Sequence, residues 1–201
     1  MSPAALVLLA ASLQTAPPAW QPMFDGKTLD GWKIAGYTNP GEIKAENGTL
    51  LLKHGNPLTG VNYTKDFPKT DYEVRFEAMR DQGNDFFASL TFPVGDSFAT
   101  WVLGGWGGDI VGISSIENWD ASENETRVYQ SFTNGRWYKF RLKVTAEKIQ
   151  AWIDDERIIN VEIAGRVVSL RPGPIKISTP FGFASYNTTG VLRSIEYRLS
   201  R

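Results

Sequence analysis

The chain has 201 residues with a formal net charge of -1, 42% hydrophobic and 21% charged residues, and no cysteine. This composition is typical of a globular protein, and the near-zero charge without a basic stripe argues against nucleic acid as a partner. The missing cysteines exclude disulfides, cysteine nucleophiles and cysteine metal sites, and the length fits one domain with a sizeable core.

The N-terminal segment has the pattern of an export signal. Residues 4–11 form an apolar run that is too short to span a membrane, and small and polar residues follow it. No lysine or arginine precedes the run, so a frayed cytosolic tail remains the alternative. We expect residues 1–16 to be a signal peptide and the protein to be secreted or periplasmic, with its mature chain starting between residues 13 and 20. No other apolar run is long enough to cross a membrane.

The first clear strand after this segment is DYEVRFEAM, residues 71–79. Its residues Tyr72, Val74 and Phe76 fall on one face, and charged residues occupy the other. Such alternation is the pattern of a half-buried β-strand. The pattern therefore predicts that this face lies against a hydrophobic core.

The same alternation recurs to the end of the chain. RWYKFRLKVT (136–145) and GVLRSIEYRLS (190–200) repeat it, and Asp154-Asp155 separates two β-rich runs, which predicts a hairpin. Further strand candidates are TLLLK (49–53), DFFASLTF (85–92), SFATWVL (97–103), RVYQSF (127–132) and PIKIST (174–179).

Turn signals separate these runs at short intervals, among them Asn47-Gly48, Asn134-Gly135 and the Pro-Gly-Pro of residues 172–174. No long stretch has the 3.6-residue period of a helix. The sequence therefore predicts an all-β domain over residues 20–201, with two antiparallel sheets packed as a jelly-roll sandwich and almost no helix.

The stretch LGGWGGDIVGISSIENWD, residues 103–120, is rich in glycine. A phosphate-binding Walker loop is excluded because no lysine follows the glycines, and a dinucleotide fingerprint from Gly105 would need a glycine where Ile110 stands. The following residues are β-branched, so no helix N-terminus is available for an anion. Two alternatives remain, namely a structural turn or a loop that faces a sugar.

Several blocks of the chain resemble one family. FDGKTLDGW (24–32) and ENGTLLLK (46–53) resemble the opening of the 3-keto-disaccharide hydrolase family, and LTGVNYTKDFPKTDYEVRFEA (58–78) resembles its next block. NGRWYKFRLKVTAEKIQAWIDDERI (134–158) and FGFASYNTTGVLRSIEYR (181–198) resemble its C-terminal half. The resemblance implies a concanavalin-like jelly roll and exported or periplasmic processing of glycosides oxidised at C3.

The central part of the chain departs from the family pattern. A family strand that begins Gly-Asn-Ser-Gly is replaced by GNDFFASLTF (83–92), in which Asp85 follows Asn84. A second family segment is replaced by ATWVLGGWGGDIVGISSIENWDASENET (99–126). The resemblance therefore implies the fold, but it assigns no catalytic residue in this segment.

Cleavage of a 3-keto-glycoside needs a base, because the ketone makes the C2 proton acidic and its removal expels the C1 substituent. The candidate bases are Asp109 and Glu117. The single imidazole, His54, is expected to be an exposed turn residue. DASENE (120–125) offers oxygen ligands but lacks the glycine and terminal glutamate of an EF-hand loop, so calcium or another divalent cation stays open as a cofactor. No residue is assigned as a metal ligand.

Tryptophans give the strongest signal for a sugar. Trp101, Trp106 and Trp119 fall close together, and aromatic rings stack on sugar faces while nearby carboxylates accept hydroxyl hydrogen bonds. We predict that Trp106 and Asp109 lie at a concave face; the alternative is a glycine bulge with the Trp106 ring turned inward. Trp101 is expected in the core. The predicted substrate-binding residues are Trp106, Trp119, Asp120 and Glu125.

The acidic residues of this segment do not form an obvious catalytic pair. Glu117 and Asp120 are three apart, which would put them on opposite faces of a strand. Glu123 and Glu125 have the spacing of one face but lie in a polar run, so a solvated acidic loop is the alternative.

Three functions remain open from the sequence. The first is an exported protein that hydrolyses or eliminates a 3-keto-glycoside, with a carbohydrate or glycoside as its partner. The second is a non-catalytic, lectin-like carbohydrate-binding module on the same fold. The third is an interaction module of the cell envelope without a small ligand. A base beside the tryptophans would distinguish the first from the others.

Overall fold

The computed structural model describes residues 18–200, so the predicted signal peptide lies outside the described residues. Two antiparallel sheets pack face to face, as predicted for a jelly-roll sandwich. The eight-stranded sheet contains β1 (Gln21–Pro22), β3 (Ile43–Glu46), β4 (Thr49–Leu52), β6 (Tyr72–Gln82), β11 (Trp137–Val144), β12 (Lys148–Ile153), β13 (Glu156–Glu162) and β15 (Thr189–Leu199). The seven-stranded sheet contains β2 (Trp32–Ile34), β5 (Leu58–Tyr63), β7 (Ser89–Val94), β8 (Ser97–Gly105), β9 (Ile110–Ser114), β10 (Val128–Tyr129) and β14 (Gly182–Tyr186).

The order of the strands follows sandwich topology and not the order of the chain. The eight-stranded sheet runs β13-β12-β11-β6-β15-β4-β3, with β1 beside β15. The seven-stranded sheet runs β10-β9-β8-β7-β14-β5-β2. Segments that are far apart in sequence, such as β7 and β14, therefore become neighbours, and any site on this sheet combines distant parts of the chain.

The core lies between the two sheets and is built by the alternation of the strands. Tyr72, Val74 and Phe76 are buried on the inner face of β6, as the pattern predicted. Trp101 is fully buried, with its ring centroid 5.7 Å from that of Phe140 and 6.4 Å from that of Phe76. The prediction that Trp101 belongs to the core is confirmed, and the hairpin at Asp154-Asp155 is confirmed between β12 and β13.

The FDGKTLDGW stretch forms a closed turn before β2. Asp25 accepts hydrogen bonds from the backbone N–H groups of Lys27 and Thr28 through Oδ1, both at 2.8 Å, and from the Thr28 hydroxyl through Oδ2 at 2.7 Å. These bonds lower the pKa of the Asp25 carboxyl to about 2, because they favour its charged form. The Trp32 indole N–H donates to the Met23 carbonyl at 2.7 Å and thereby fixes the entry into the core.

The prediction of a strand at PIKIST is wrong. Residues Pro174–Ser178 form a 3-10 helix. Ile175 and Ile177 alternate with Lys176, which fits a strand, but Pro174 lacks an N–H and pre-sets the backbone angle of a first helical turn. The helix places Ile175 and Ile177 against a small apolar cluster on the outer face of the seven-stranded sheet.

Two of the other strand candidates are shorter than predicted. In RVYQSF only Val128–Tyr129 pairs as a strand, and in DFFASLTF the strand begins at Ser89. Among the described residues, no helix is long and apolar enough to cross a membrane.

Candidate functional site

A groove of about 560 Å³ lies over the outer face of the seven-stranded sheet. Its floor follows from strand alternation, because Ser89, Thr100 and Ser114 point outward. The neighbours that point into the core are Ala88, Leu90, Ala99, Trp101 and Ile113. The three outward side chains are almost fully buried. The groove therefore has three hydroxyl groups in its floor on β7, β8 and β9, together with the Val102 side chain of β8.

Three side chains at one end of the groove can contact a polar ligand. Trp106 lies on the wall with 40% of its surface exposed, and the Arg171 guanidinium carbon lies 5.4 Å from the centroid of the Trp106 ring. Arg171 Nε also lies 3.4 Å from Asp120 Oδ2. Asp85 contributes a half-buried carboxylate to the same wall. This end thus combines an aromatic ring, a guanidinium and a carboxylate.

The glycine-rich turn between β8 and β9 presents Trp106. Trp106 itself has a φ of 52°, and Gly107 and Gly108 have φ values of 92° and 121°. A Cβ atom at Gly108 would lie 2.3 Å from the Asn84 carbonyl oxygen, so only glycine fits at that position. Asp85 holds the turn from the side, because its Oδ2 accepts a hydrogen bond from the Gly107 N–H at 3.0 Å. The Trp106 ring consequently faces the groove, and the inward-turned alternative is not observed.

Arg80 also contacts the turn that carries Trp106. It is buried, and its guanidinium donates to Asn134 Oδ1 at 2.6 Å, to the Phe132 carbonyl, and over a longer 3.5 Å to the Gly108 carbonyl. All three acceptors are uncharged. Burial lowers the pKa of the Arg80 guanidinium. Arg80 therefore connects the turn that carries Trp106 to the segment after β10.

The other end of the groove is apolar. Leu58 on β5 lies directly opposite Tyr186 on β14, and the Phe86 ring centroid is 5.6 Å from that of Tyr186. Ile175 of the 3-10 helix and Pro57 complete this end. Aromatic and aliphatic side chains thus form its walls.

A second, smaller hollow of about 390 Å³ lies at a different place. Glu117 and Asn118 form a two-residue turn with φ values of 52° and 65°, which directs Glu117 and Trp119 into this hollow. Arg166 is hydrogen-bonded to Glu125 and lies 3.6 Å from Glu117 Oε1. The pairing with Arg166 lowers the pKa of the Glu125 carboxyl. Both carboxylates are therefore engaged by one guanidinium.

The family model for the 3-keto-α-glucoside-1,2-lyase-like domain matches residues 19–179. The chain belongs to this family. Its membership confirms the resemblance noted in the sequence and marks the chain as a carbohydrate-active type of domain. No curated protein sequence matches the chain significantly.

Solved structures confirm the fold of this 3-keto-α-glucoside-1,2-lyase-like domain. The chain is similar to the carbohydrate-binding module CBM66 from Bacillus subtilis, with 14% identity, a TM-score of 0.58, and coverage of 89% of this chain and 99% of that one. It is also similar to a glycosyl hydrolase family 16 protein from Mycobacterium smegmatis, with 8% identity, a TM-score of 0.56, and coverage of 90% and 100%.

A third similar structure contains a bound sugar. It is domain 4 of an extracellular arabinanase of family GH43 from Geobacillus stearothermophilus, in complex with arabinotriose. Identity is 12%, the TM-score is 0.54, and coverage is 84% of this chain and 82% of that one. At these identities the likeness shows a shared fold.

The structure divides the residues predicted for the site of this domain. Trp106 lines the groove, and Asp120 reaches the groove through Arg171. Within the described part of the chain, Asp109 lies outside the groove lining. The remaining predicted residues, Glu117, Trp119 and Glu125, line the second hollow. The predicted set is therefore not one cluster, and the catalytic and binding roles remain predictions.

His54 and the acidic DASENE segment, which the sequence suggested as a turn residue and as a source of metal ligands, lie outside the groove lining of the described residues. His54 is exposed after β4, as expected. Asp120 pairs with Arg171 and Glu125 with Arg166, so two carboxylates of the DASENE segment contact arginines. Among residues 18–200, no group of three or more histidine, aspartate or glutamate side chains is placed to hold a metal ion.

Two charged residues of the groove were missed from the sequence. Asp85 could have been noticed, because it stands where this chain departs from the Gly-Asn-Ser-Gly pattern of the family. Arg171 precedes the Pro-Gly-Pro turn and has no local pattern that marks it. Its place beside Trp106 depends on how the loop before the 3-10 helix crosses the sheet.

Proposed function

We propose that the protein binds a glycoside oxidised at C3 in the groove and cleaves it. The observation that carries this proposal is the juxtaposition of Trp106, Arg171 and Asp85 at one end of the groove. The tryptophan ring offers a face for stacking on a sugar, the guanidinium donates hydrogen bonds, and the carboxylate accepts them. Membership of the 3-keto-α-glucoside-1,2-lyase-like family supports the oxidised glycoside as the substrate class.

Asp85 is the groove residue suited to act as a base. Each of its oxygens accepts one backbone N–H, from Phe86 at 2.8 Å and from Gly107 at 3.0 Å. An ionised carboxylate has about four acceptor sites, so lone pairs remain for a substrate proton. The backbone bonds also fix the carboxylate in place, which is what a positioned base requires.

The proposed reaction has two steps. Asp85 takes the proton from C2, and the electrons of that bond form an enolate whose charge on O3 is stabilised by the Arg171 guanidinium. The charge on O3 then re-forms the C3 ketone, and the electron pair of the C2–C3 double bond moves to C1–C2 as the C1–O bond breaks. The leaving oxygen takes a proton from solvent water, to which Asp85 returns the C2 proton. Addition of water across the double bond completes a net hydrolysis.

A second candidate function is carbohydrate binding without catalysis. The specific observation in its favour is that both Asp85 oxygens already serve the backbone, as a purely structural carboxylate would. The fold is shared with a carbohydrate-binding module and with an arabinanase domain that holds arabinotriose. Cleavage of methyl 3-keto-α-glucoside by the wild-type protein separates the two functions, because a binding module releases no methanol.

The role of the groove is tested by Trp106→Ala. Loss of the stacking face is expected to weaken binding of methyl 3-keto-α-glucoside by about 1–3 kcal/mol, measured by titration calorimetry. The melting temperature should change little, because the ring is 40% exposed. Trp119→Ala is the matched control, since Trp119 is 57% exposed and lies in the second hollow.

Two results would contradict the groove assignment. One is unchanged affinity in Trp106→Ala; the other is an equal loss in Trp119→Ala, which would move the sugar to the second hollow. A stability loss of roughly 3–5 kcal/mol in Trp106→Ala would instead make the ring a packing residue.

We also propose that the protein is exported. The apolar run of residues 4–11 followed by small residues is the motivation. N-terminal sequencing of the protein from its native cell is expected to find a start between residues 13 and 20. An intact start at Met1 or Ser2 would count against export.

A further inference from the structure

The groove has a polar half and an apolar half, and each half lies over different strands of the seven-stranded sheet. On β7, β8 and β9 the floor carries the hydroxyls of Ser89, Thr100 and Ser114, with the Val102 side chain beside them on β8. On the neighbouring β14 and β5 it carries Tyr186 and Leu58. The polar half and the apolar half therefore lie side by side across the strands.

The two halves differ in their walls as well. Trp106 and Arg171 stand over the polar half. The apolar half is walled by Phe86, whose ring lies 5.6 Å from that of Tyr186, and by Ile175 of the 3-10 helix. A hydroxylated group placed in the apolar half would leave hydrogen-bonding groups without partners, which is unfavourable. A hydrocarbon or aromatic group would gain by leaving water there.

Asp85 belongs to the wall of the polar half and precedes β7, the strand of that half that pairs with β14 of the apolar half. Its carboxylate holds Gly107 of the turn that carries Trp106, and its chain neighbour Phe86 lines the apolar half. A base at this position would take the C2 proton of a sugar in the polar half, and the group leaving from C1 would lie in the apolar half.

The length of the groove admits both parts of such a ligand. From β9 to β5 there are four inter-strand spacings of about 4.8 Å, roughly 19 Å in all. This span exceeds a single sugar ring, and the volume of about 560 Å³ is typical of sites for drug-sized ligands.

We propose that the substrate is a glycoside with an apolar, planar aglycone, such as an aryl group. The sugar lies over the hydroxyl floor beside Trp106 and Arg171, and the aglycone lies over Tyr186 and Leu58. This inference rests on the proposed function, because it names the substrate class of the same groove.

The test compares phenyl 3-keto-α-glucoside with methyl 3-keto-α-glucoside in the full chain, by calorimetric binding and by release of phenol or methanol. The wild-type protein is expected to bind the phenyl compound about tenfold more tightly or better. In Tyr186→Ala the ratio of the affinity for the phenyl compound to the affinity for the methyl compound should fall at least about fivefold, and the ratio of their cleavage rates should fall with it. Because the same two substrates are compared in each variant, the better leaving ability of phenol cancels from this change in ratio.

Tyr129→Ala is the matched control, since Tyr129 is 66% exposed on β10 of the same sheet and lies outside the groove lining of the described residues. It should leave the ratio unchanged. Ile175→Thr gives a second test of the apolar half if Tyr186→Ala fails to fold, and the same fall in ratio is expected.

The outcomes separate this inference from the proposed function. Cleavage of both substrates with an equal ratio in wild type and Tyr186→Ala overturns the apolar aglycone and leaves cleavage standing. A second outcome is that the wild-type protein binds the phenyl compound more tightly but cleaves neither compound, and that Tyr186→Ala loses this preference. That outcome supports the apolar aglycone and overturns catalysis. Failure to bind either compound overturns both.

Discussion

Asp85→Asn is expected to slow turnover of methyl 3-keto-α-glucoside by at least about 100-fold, because a positioned general base typically contributes 10²- to 10⁴-fold. The side chain keeps its size, and its one acceptor oxygen can keep the bond from the Gly107 N–H that holds the Trp106 turn, while the bond from the Phe86 N–H is lost. The substrate should therefore still bind within about tenfold of wild type. Steady-state kinetics and calorimetric titration on the same preparation measure the two effects. A large loss in kcat with a small change in affinity is the signature of a base.

The control for this variant is Asp109→Asn. Asp109 is the carboxylate that the sequence suggested as a base; it is exposed and follows the same glycine-rich turn, but it does not line the groove in the described part of the chain. Its replacement should change turnover by less than about threefold, as expected for a surface residue outside the reaction. If Asp109→Asn loses turnover and Asp85→Asn retains it, the base is on the other side of the turn and the proposed geometry is wrong.

The fold was predictable because the residue pattern within a single strand indicates which of its faces is buried. The alternation in β6 and β11 identifies one buried face without reference to any other part of the chain. In β15 a β-bulge between Arg193 and Glu196 shifts the register, so Leu192 and Ile195 are both buried although they are three residues apart. Trp101 was placed in the core on the same grounds, because its strand is apolar almost throughout. Local periodicity of this kind determines which face of a strand is buried, and the sandwich then follows from burying those faces together.

The groove was less predictable because it combines segments that are distant in sequence. Asp85 precedes β7, Arg171 precedes the 3-10 helix, and Tyr186 ends β14. Trp106 was found because glycines on both sides leave its ring uncovered, which is a local signal. The 3-10 helix was mistaken for a strand because Ile175 and Ile177 are two residues apart, a spacing that a short run cannot assign to one structure.

The positions of the acidic residues could not be predicted from their sequence neighbourhood either. Glu117 and Asp120 are near in sequence to Trp106, yet a two-residue turn at Glu117 and Asn118 sends Glu117 into the second hollow. Asp120 instead pairs with Arg171, its Oδ2 lying 3.4 Å from the guanidinium Nε. Nearness along the chain predicted one site, whereas the turn geometry produced two separate places.

Arg80→Met is expected to lower the free energy of unfolding by about 2–4 kcal/mol. Methionine fills much of the space of the arginine stem, but it cannot donate to the carbonyls of Phe132 and Gly108. The Phe132 carbonyl and its surroundings are buried, so water replaces the lost donor poorly. Urea denaturation followed by tryptophan fluorescence measures the loss.

Arg75→Met is the matched control for this prediction. Arg75 lies on the same strand as Arg80, but it is exposed on the outer face, where it pairs with Glu196 and stacks over Trp20. Because exposed ion pairs contribute little, its replacement should cost no more than about 1 kcal/mol. Arg80→Met should also weaken glycoside binding, since the turn that carries Trp106 loses its support, while Arg75→Met should not. Equal stability losses in the two variants, or full glycoside affinity in Arg80→Met, would mean that the groove does not depend on the buried guanidinium.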